Sequence, residues 1–209
     1  MSKTKHAHPL RPINDWHSRG YLPHWEAGEE PQSITFRLAD SLPSEVRERW
    51  ADELKELGQK PGSAELRKRI EAALDAGYGE ALLVKPEIGS LVENALLHFD
   101  GERYRLHAWS IMPNHVHVLA TPLPEHALSA IVHSWKSFTA VQVNRALGRE
   151  GSLWFPEYFD RKIRNERHFE GARYYIEQNP VAAGLCATAE DWPYSSVPRA
   201  RLMEAKPAP

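Results

Sequence analysis

The chain has 209 residues, of which 26% are charged and 42% apolar, and its formal net charge is −2. A chain of this length is expected to form one domain with room for an appended element. The single cysteine, Cys186, excludes a disulfide framework and a cysteine-based zinc site within one chain, and it fits a reducing cytoplasm. No run of about 18 apolar residues is present, and the N-terminal stretch lacks the apolar core of a secretory signal, so neither a membrane span nor secretion is expected.

The charges are segregated along the chain. The stretch DRKIRNER (160–167) concentrates basic residues, while much of the acid lies in residues 26–57. A nucleic-acid-binding domain is usually basic overall, but a local patch is sufficient for binding. Composition therefore leaves the partner open.

The first half of the chain predicts one strand and three helices. Residues 1–30 show no hydrophobic period and predict an extended lead-in. Residues 32–39 alternate apolar and polar side chains, which indicates a half-buried strand. The helices are expected from Ser44 to about residue 58, from residue 64 to Gly77 or Gly79, and over residues 86–98.

The second half predicts two strands followed by two helices. The strands cover residues 102–113 and 115–122, with a break at Pro113-Asn114. A long helix over 125–148 ends at Gly148, and residues 152–163 are irregular or a short extended segment. A last helix begins at the N-cap Asn165 and is expected to stop at Pro180, before a packed loop.

This order of elements predicts an α+β fold, a ferredoxin-like sandwich in which helices pack on one face of a small antiparallel sheet. We expect a lead-in over residues 1–30, a single domain over residues 31–197 and a C-terminal tail over residues 198–209.

Two histidines stand two residues apart in the apolar stretch MPNHVHVLA (112–120). Alternate residues of a strand point to the same face, so His115 and His117 project side by side while Val116 and Val118 face the core. Two imidazoles on one face can bind one metal ion, although such a pair also occurs on an exposed polar face. Leu119 replaces the aspartate of an H-x-H-x-D-H metallo-hydrolase, so the pair needs a different third ligand.

The helix NERHFEGARYYIEQNP (165–180) carries a candidate partner for the histidines. Its apolar face is formed by Phe169, Ala172 and Ile176, and Tyr175 and Asn179 lie together on the flank of that face. Tyr174 lies nearly opposite. An amide oxygen such as that of Asn179 can bind a hard metal ion, but packing is the commoner role of a helical tyrosine.

These segments together resemble a known family. WSIMPNHVHVLATP, WFPEYFDRKIRNERHF, RYYIEQNPVAAGL and DWPYSS, in this order, are similar to the single-tyrosine HUH transposases, and most similar to their REP-associated tyrosine transposase branch. The resemblance covers roughly residues 20–197. Residues 41–90 look like an added helical insertion.

The resemblance implies a metal-dependent single-stranded DNA endonuclease and strand transferase acting at hairpin-forming repeated extragenic palindromes. His115, His117 and Asn179 would hold Mg²⁺ or Mn²⁺, and Tyr175 would attack phosphorus to give a 5′-phosphotyrosine intermediate and a free 3′-OH. His168, earlier on the same helical stripe, is a candidate assistant. The protein would be cytoplasmic, and its oligomeric state stays open.

DNA contacts are expected from basic and aromatic side chains. Trp154 and Tyr158 are candidates for base stacking, with core packing as the alternative. Two other functions stay open: a catalytically idle DNA-hairpin-binding protein, and an unrelated metal-dependent hydrolase in which Tyr175 is structural. The basic candidates for DNA binding are Lys136, Arg145, Arg161, Lys162 and Arg164.

Overall fold

A computed structural model describes residues 16–18, 23–25, 28–56 and 64–199. The strands and helices follow the predicted order closely. The strands are β1 (Trp16–Ser18), β2 (Pro23–Trp25), β3 (Gln32–Arg37), β4 (Tyr104–Ile111), β5 (His115–Pro122) and β6 (Phe159–Lys162). The helices are α1 (Ser44–Glu56), α2 (Ala64–Asp75), α3 (Pro86–Leu97), α4 (Leu128–Leu147) and α5 (Glu166–Ala182).

The centre of the fold is a four-stranded sheet with the order β4-β5-β3-β6, in which every neighbouring pair is antiparallel. Helices join β3 to β4 and β5 to β6, while β4 and β5 are consecutive along the chain. This is the strand order of a ferredoxin-like α+β sandwich, so the predicted fold class is confirmed.

One face of the sheet carries the main hydrophobic core. Val116 and Val118 are fully buried there, together with Ile34 and Phe36 of the neighbouring strand. Helices α3 and α4 cover this face, and Trp135 of α4 belongs to the same cluster. The alternation of β5 therefore places its valines where the sequence predicted.

The opposite face of the sheet is covered by α5, which corrects the expectation that helices pack on one face. Leu119 and Ala108 of the sheet form a second cluster with Ile163 and with Ile176 of α5. Both faces of β5 are apolar or buried, so each requires a covering layer. The α5 layer lies on the face that carries His115 and His117.

The α1–α2 hairpin, within the predicted insertion, forms a small cluster of its own. Leu42, Ile70, Ala73 and Leu74 are buried in it, with Phe159 of β6 packed against it. Phe159 pairs with Thr35, and Thr35 pairs with His117, so these three side chains share one face of the sheet. Helix α2 therefore stands beside the histidine face.

The end of α5 differs from the prediction. The helix continues through Pro180 to Ala182, and Asn179 is a buried interior residue of the helix. Proline lacks the N–H that would bind four residues back, but the helix continues because Ala183 and Leu185 close its last turn on Asn179 and Pro180. The predicted N-cap is confirmed, since Asn165 accepts a hydrogen bond from the backbone N–H of His168 at 2.9 Å.

Other local predictions have mixed outcomes. Gly148 ends α4 in the left-handed conformation, as predicted (φ 60°). The lead-in contains an unpredicted antiparallel ladder between β1 and β2. Residues 1–15, 19–22, 26, 27 and 200–209 lie outside the described part of the chain, so the domain limits at residues 30 and 197 stay predictions.

The segment after α5 covers the outer edge of β4, one of the two edge strands of the sheet. The backbone of Ile111 in β4 donates to the carbonyl of Tyr194, and the indole of Trp192 donates to the carbonyl of Ile111. Ser195 forms an isolated antiparallel bridge with Ser110. This segment is the packed loop that the sequence predicted after the last helix, and it occupies an edge of β4 that would otherwise be unpaired.

Candidate functional site

The histidine pair is buried between the sheet and α5. His115 and His117 are 1% and 2% exposed, and their Nε2 atoms lie 3.0 Å apart. Their rings are nearly perpendicular, with centroids 4.7 Å apart. The structure thus turns both Nε2 atoms toward one point, as the spacing of the two residues predicted.

Asn114 determines the tautomer of His115. Its side-chain amide N–H groups donate to the carbonyls of Leu74 (3.2 Å) and Tyr78 (2.7 Å). Its Oδ1, 2.8 Å from His115 Nδ1, must therefore accept, and His115 carries its proton on Nδ1. The Nε2 atom of His115 is therefore unprotonated and accepts a hydrogen bond from Nε2 of His117.

His117 is oriented from the neighbouring strand. Its Nδ1 lies 2.9 Å from the hydroxyl of Thr35, which pairs with it across β3 and β5. Because His115 Nε2 carries no proton, the 3.0 Å hydrogen bond between the two Nε2 atoms is donated by His117 Nε2, and His117 Nδ1 accepts from the Thr35 hydroxyl. Both histidines thus have an outer partner that holds Nε2 toward the site, an arrangement typical of metal-binding imidazoles.

Burial keeps both imidazoles neutral. Desolvation lowers the pKa of His117 to about 4. Desolvation, and then the neighbouring His117, lower the pKa of His115 well below its usual value. Neutral imidazole is the form that binds metal ions.

Helix α5 places Tyr175 beside this pair. Its ring centroid lies 5.6 Å from that of His117, at an interplanar angle of 76°. Tyr175 is 42% exposed, so its phenol is open to a ligand from outside. Tyr174, the neighbouring candidate, is 68% exposed, as expected for a residue on the far side of the helix from the sheet.

The electrostatic surroundings hold Tyr175 in its neutral form. Desolvation raises the pKa of Tyr175, and the carboxylates of Glu71 and Asp75 raise it further. A side-chain hydrogen bond from Asn179 acts in the opposite direction, because it favours the phenolate. The phenol therefore needs an additional positive charge to ionise readily.

Asn179 has an unsatisfied oxygen in this buried region. The residue is 3% exposed, and its Oδ1 has no hydrogen-bond partner among the described residues. An orphaned buried carbonyl oxygen is costly unless a ligand completes it. Asn179 lies one helical turn from Tyr175, on the helix that covers the histidine face of the sheet.

These residues fit a divalent cation. Two ligands at right angles on an ion about 2.1 Å from each lie roughly 3 Å apart, which matches the separation of the two Nε2 atoms. The orphaned Oδ1 of Asn179 is a suitable oxygen donor. Within the described ranges no three His, Cys, Asp or Glu side chains already stand close enough to hold a metal ion, so the amide oxygen is the third donor that this arrangement offers.

Sequence reasoning missed the acidic side of the site. Asp75, at the end of α2, has its Oδ1 3.7 Å from His115 Nε2, and about a third of its side chain (34%) is exposed. Burial raises the pKa of its carboxyl. Glu71 lies one turn earlier on α2, on the same side of the helix. The sequence offered no signal for this contact, because Asp75 and His115 belong to separate elements and no motif relates the positions of these two residues.

The candidate DNA-binding residues occupy different environments. Arg145, Arg161 and Arg164 are exposed. Lys162 forms an ion pair with Glu30 at 3.5 Å. The ammonium of Lys136 donates to the carbonyls of Phe155 (2.8 Å) and Pro156 (2.7 Å), and desolvation lowers its pKa to about 8. Lys136 therefore supports the segment before β6, and the exposed arginines are the better placed for phosphate contacts.

The remaining candidates have structural contacts. Trp154 and Tyr158 are buried in the main core, and the indole of Trp154 donates to Thr139 at 2.8 Å. His168 accepts a backbone N–H from Arg164 at 3.2 Å and so caps the start of α5. It lies about 10 Å along the helix from Tyr175. Trp154 and Tyr158 are thus core-packing residues, which was the alternative to base stacking. His168 is a helix-capping residue, which was the alternative to assisting Tyr175.

Comparison with known proteins identifies relatives of this chain. A model of the IS200-like transposase family matches residues 84–179, just under half of the chain. A REP-associated tyrosine transposase of Escherichia coli (strain K12) is 28% identical over 110 residues, which cover 52% of this chain and 64% of that protein. A putative REP-associated tyrosine transposase of Haemophilus influenzae is 31% identical over 100 residues, covering 43% of this chain and 56% of that protein.

The chain thus matches less than two thirds of the length of either curated relative. Among solved structures, that of a REP-associated tyrosine transposase bound to a REP hairpin superimposes with a TM-score of 0.57 at 18% identity. The superposition covers 92% of this chain and 88% of that one, which shows a shared fold. No described helix is long and apolar enough to cross a membrane. The predicted resemblance is confirmed: residues 84–179 match the model of the IS200-like transposases, and the chain is similar to REP-associated tyrosine transposases.

Proposed function

We propose that this protein is a metal-dependent single-stranded DNA endonuclease and strand transferase that acts at hairpin-forming repeats through a covalent 5′-phosphotyrosine intermediate. The observation that carries the proposal is the position of Tyr175, whose ring lies 5.6 Å from that of His117, while His117 and His115 oppose their Nε2 atoms at 3.0 Å. A partly exposed nucleophile beside a buried ligand pair is the arrangement that phosphoryl transfer to tyrosine requires.

The reaction proposed for Tyr175 conserves the number of phosphodiester bonds. The phenolic oxygen attacks phosphorus, a new tyrosyl–phosphate bond forms, and the bond to the 3′ oxygen of the preceding nucleotide breaks. The phenol loses its proton and the departing 3′ oxygen gains one. Attack by a 3′-OH on the tyrosyl phosphate reverses the step, so the same residue serves cleavage and rejoining.

Three buried side chains would bind the metal ion that this step requires. His115, His117 and Asn179 would hold Mg²⁺ or Mn²⁺, which when bound polarises the scissile phosphate and stabilises charge on the leaving oxygen. Asn179 also donates toward Tyr175 and favours its phenolate. The raised pKa of Tyr175 makes its phenol a poor nucleophile in the metal-free protein, until a bound cation supplies positive charge.

The DNA is proposed to approach from the exposed side of Tyr175. Arg161 and Arg164 precede α5 and are exposed. Desolvation, and then the positive charges of these two arginines, lower the pKa of His168, so the three side chains lie close together. This basic surface suits the phosphates of a single strand or hairpin. A cytoplasmic location agrees with such a substrate and with the single cysteine.

The covalent intermediate provides the decisive test. Single-stranded hairpin DNA carrying a repeated extragenic palindrome, with a 3′ label, is incubated with protein and Mn²⁺ and run on a denaturing gel. Because the tyrosine retains the 5′ phosphate, the wild-type protein should carry the label covalently. Tyr175→Phe should abolish the adduct, while the matched control Tyr174→Phe should retain it.

The outcomes also separate the alternatives. A wild-type protein that binds the hairpin but forms no adduct across several palindromes would indicate an idle hairpin-binding protein. Release of nucleotides without an adduct would indicate a metal-dependent hydrolase. An adduct that survives Tyr175→Phe would move the nucleophile to another residue. His117→Ala should abolish cleavage and spare most hairpin binding, because binding contacts lie elsewhere.

A further inference from the structure

The α1–α2 hairpin lies outside residues 84–179, the part of the chain that matches the transposase family. It nevertheless reaches the proposed metal site. Asp75, the last residue of α2, approaches His115 from the side opposite to the backbone of β5, with Oδ1 3.7 Å from Nε2. The matched domain by itself does not contain this carboxylate.

The position of Asp75 is held by contacts on either side of it. Leu74, the preceding residue, is 1% exposed and packs in the cluster with Ile70 and Ala73. The carbonyls of Leu74 and Tyr78 both accept from Asn114, the residue that orients His115. The backbone around Asp75 and the ring of His115 are therefore fixed by the same amide.

The proposed ligands are all neutral, so the site lacks a negative charge that a carboxylate would supply. His115, His117 and Asn179 provide two imidazole nitrogens and one amide oxygen. Mg²⁺ and Mn²⁺ favour oxygen ligands, and a site for them usually includes a carboxylate. The Nε2 atom of His115, which lies 3.7 Å from Asp75 Oδ1, is the unprotonated nitrogen of that ring, so the carboxylate lies beside a nitrogen that can bind the ion.

From this geometry we propose that Asp75 is a direct ligand of the divalent cation held by His115 and His117, so that the α1–α2 insertion completes the metal site. This inference rests on the proposed function. Neighbouring ligands of one ion lie roughly 3 Å apart, and a turn of the partly exposed Asp75 side chain brings Oδ1 from 3.7 Å into that range.

Binding of Mn²⁺ alone, without DNA, tests the proposal. The full chain is titrated with Mn²⁺ and free ion is followed by electron paramagnetic resonance. Asp75→Ala should weaken binding by at least the roughly ten- to hundred-fold that loss of an outer partner causes. The matched control is Glu65→Gln, which removes one negative charge from α2 at an exposed residue paired with Arg69, and it should bind as the wild type does.

A second readout distinguishes a ligand from a nearby charge. Pulsed resonance in D₂O counts the waters on bound Mn²⁺, and Asp75→Ala should add one, because water fills the vacated position. Weaker binding with an unchanged water count would overturn direct ligation, and so would affinity equal to that of Glu65→Gln. Thermal unfolding without metal should be similar in both variants, which shows that both fold.

The proposed function and this inference fail in different ways. If the wild type binds no Mn²⁺, both are overturned. If the wild type binds and His117→Ala does not, while Asp75→Ala matches the wild type in affinity and water count, the histidine site stands and only the role of Asp75 is rejected.

Discussion

Asn114 is the residue that joins the insertion to the histidine pair. It is 1% exposed, and its amide bridges two carbonyls of the segment after α2 and the ring of His115. In the sequence it marked only a break before β5. At the scale of single residues, the site thus depends on a polar side chain whose three partners lie in two distant parts of the chain.

Replacement of Asn114 should therefore be costly. Asn114→Ala leaves the buried imidazole N–H of His115 without an acceptor and removes the amide donors to the carbonyls of Leu74 and Tyr78, and we expect a loss of about 2–4 kcal/mol in the free energy of unfolding. Urea denaturation measures this loss. Asn144→Ala is the control, since its amide makes one exposed hydrogen bond to Gly151, and an equal loss in both variants would contradict the role of Asn114.

The buried imidazoles should make the metal-free protein acid-sensitive. The pKa of His117 in the folded state is about 4, below the unfolded value near 6.5. The unfolded chain therefore binds more protons between these values, so the stability contributed by the neutral ring is complete above pH 6.5 and is lost as the pH falls toward 4.

Urea midpoints measured with a chelator from pH 4 to pH 8 test this dependence. The wild type should lose stability between pH 6.5 and 4, by an amount on the order of 3 kcal/mol for this one ring. His117→Gln carries no titrating group at this position, so its profile should be flatter. Parallel profiles for the two proteins would refute the assignment.

At the scale of elements, α3 and α5 show how the same residue type serves different purposes. A Cβ on Gly89 of α3 would lie 2.8 Å from the ring of Tyr194 and 3.0 Å from the carbonyl of Leu83. A Cβ on Gly171 of α5 would meet no atom of the described residues within 4 Å. Gly89 permits the segment around Tyr194 to pack on α3, whereas Gly171 packs against none of the described residues.

These two glycines provide a matched pair of substitutions. Alanine in a helix interior is favoured over glycine by roughly 0.5–1 kcal/mol, so Gly171→Ala should raise the melting temperature slightly. Gly89→Ala should lower it, because a clash with the tail costs about 1–3 kcal/mol and exceeds that gain. Calorimetry decides the signs, and a stabilising Gly89→Ala would contradict the close packing of Tyr194.

At the scale of the whole molecule, the net charge of −2 conceals a local basic surface. Arg161 and Arg164 are exposed, and neither forms an ion pair within the described part of the chain. Acidic residues are instead concentrated in α1 and α2, where Arg69 pairs with Glu53 and Glu65. The proposed binding of DNA through this region would therefore not require an overall positive charge.

The salt dependence of hairpin binding should report this region. Each phosphate contact contributes about 0.7–0.9 to the slope of log affinity against log salt concentration. The double variant Arg161→Ala/Arg164→Ala should lower the magnitude of that slope by roughly 1.4–1.8. Arg69→Ala, which removes a paired arginine of α2, should leave it unchanged. Equal slopes in all three proteins would place the phosphate contacts elsewhere.

The sequence by itself determined the order and type of the elements and the pairing of His115 with His117 on one face. It could do so because strand alternation, helix periodicity and the signals at Asn165 and Gly148 are local properties of neighbouring residues. The helical period also selected Tyr175 and Asn179 over Tyr174. The resemblance to REP-associated tyrosine transposases was added to this, and the comparisons show the same similarity.

Only the tertiary structure decided which face α5 covers, that the helix continues through Pro180, that Asn114 bonds to the segment after α2, and that Asp75 lies beside His115. These features depend on contacts between segments far apart in the chain, and no local pattern specifies them. Asp75 reaches His115 because Ile70 and Leu74 pack beside β6 and Asn114 binds the carbonyls on either side of it. A carboxylate that the sequence alone would place on a solvated helix surface is thus brought to the proposed metal site by burial of its neighbours.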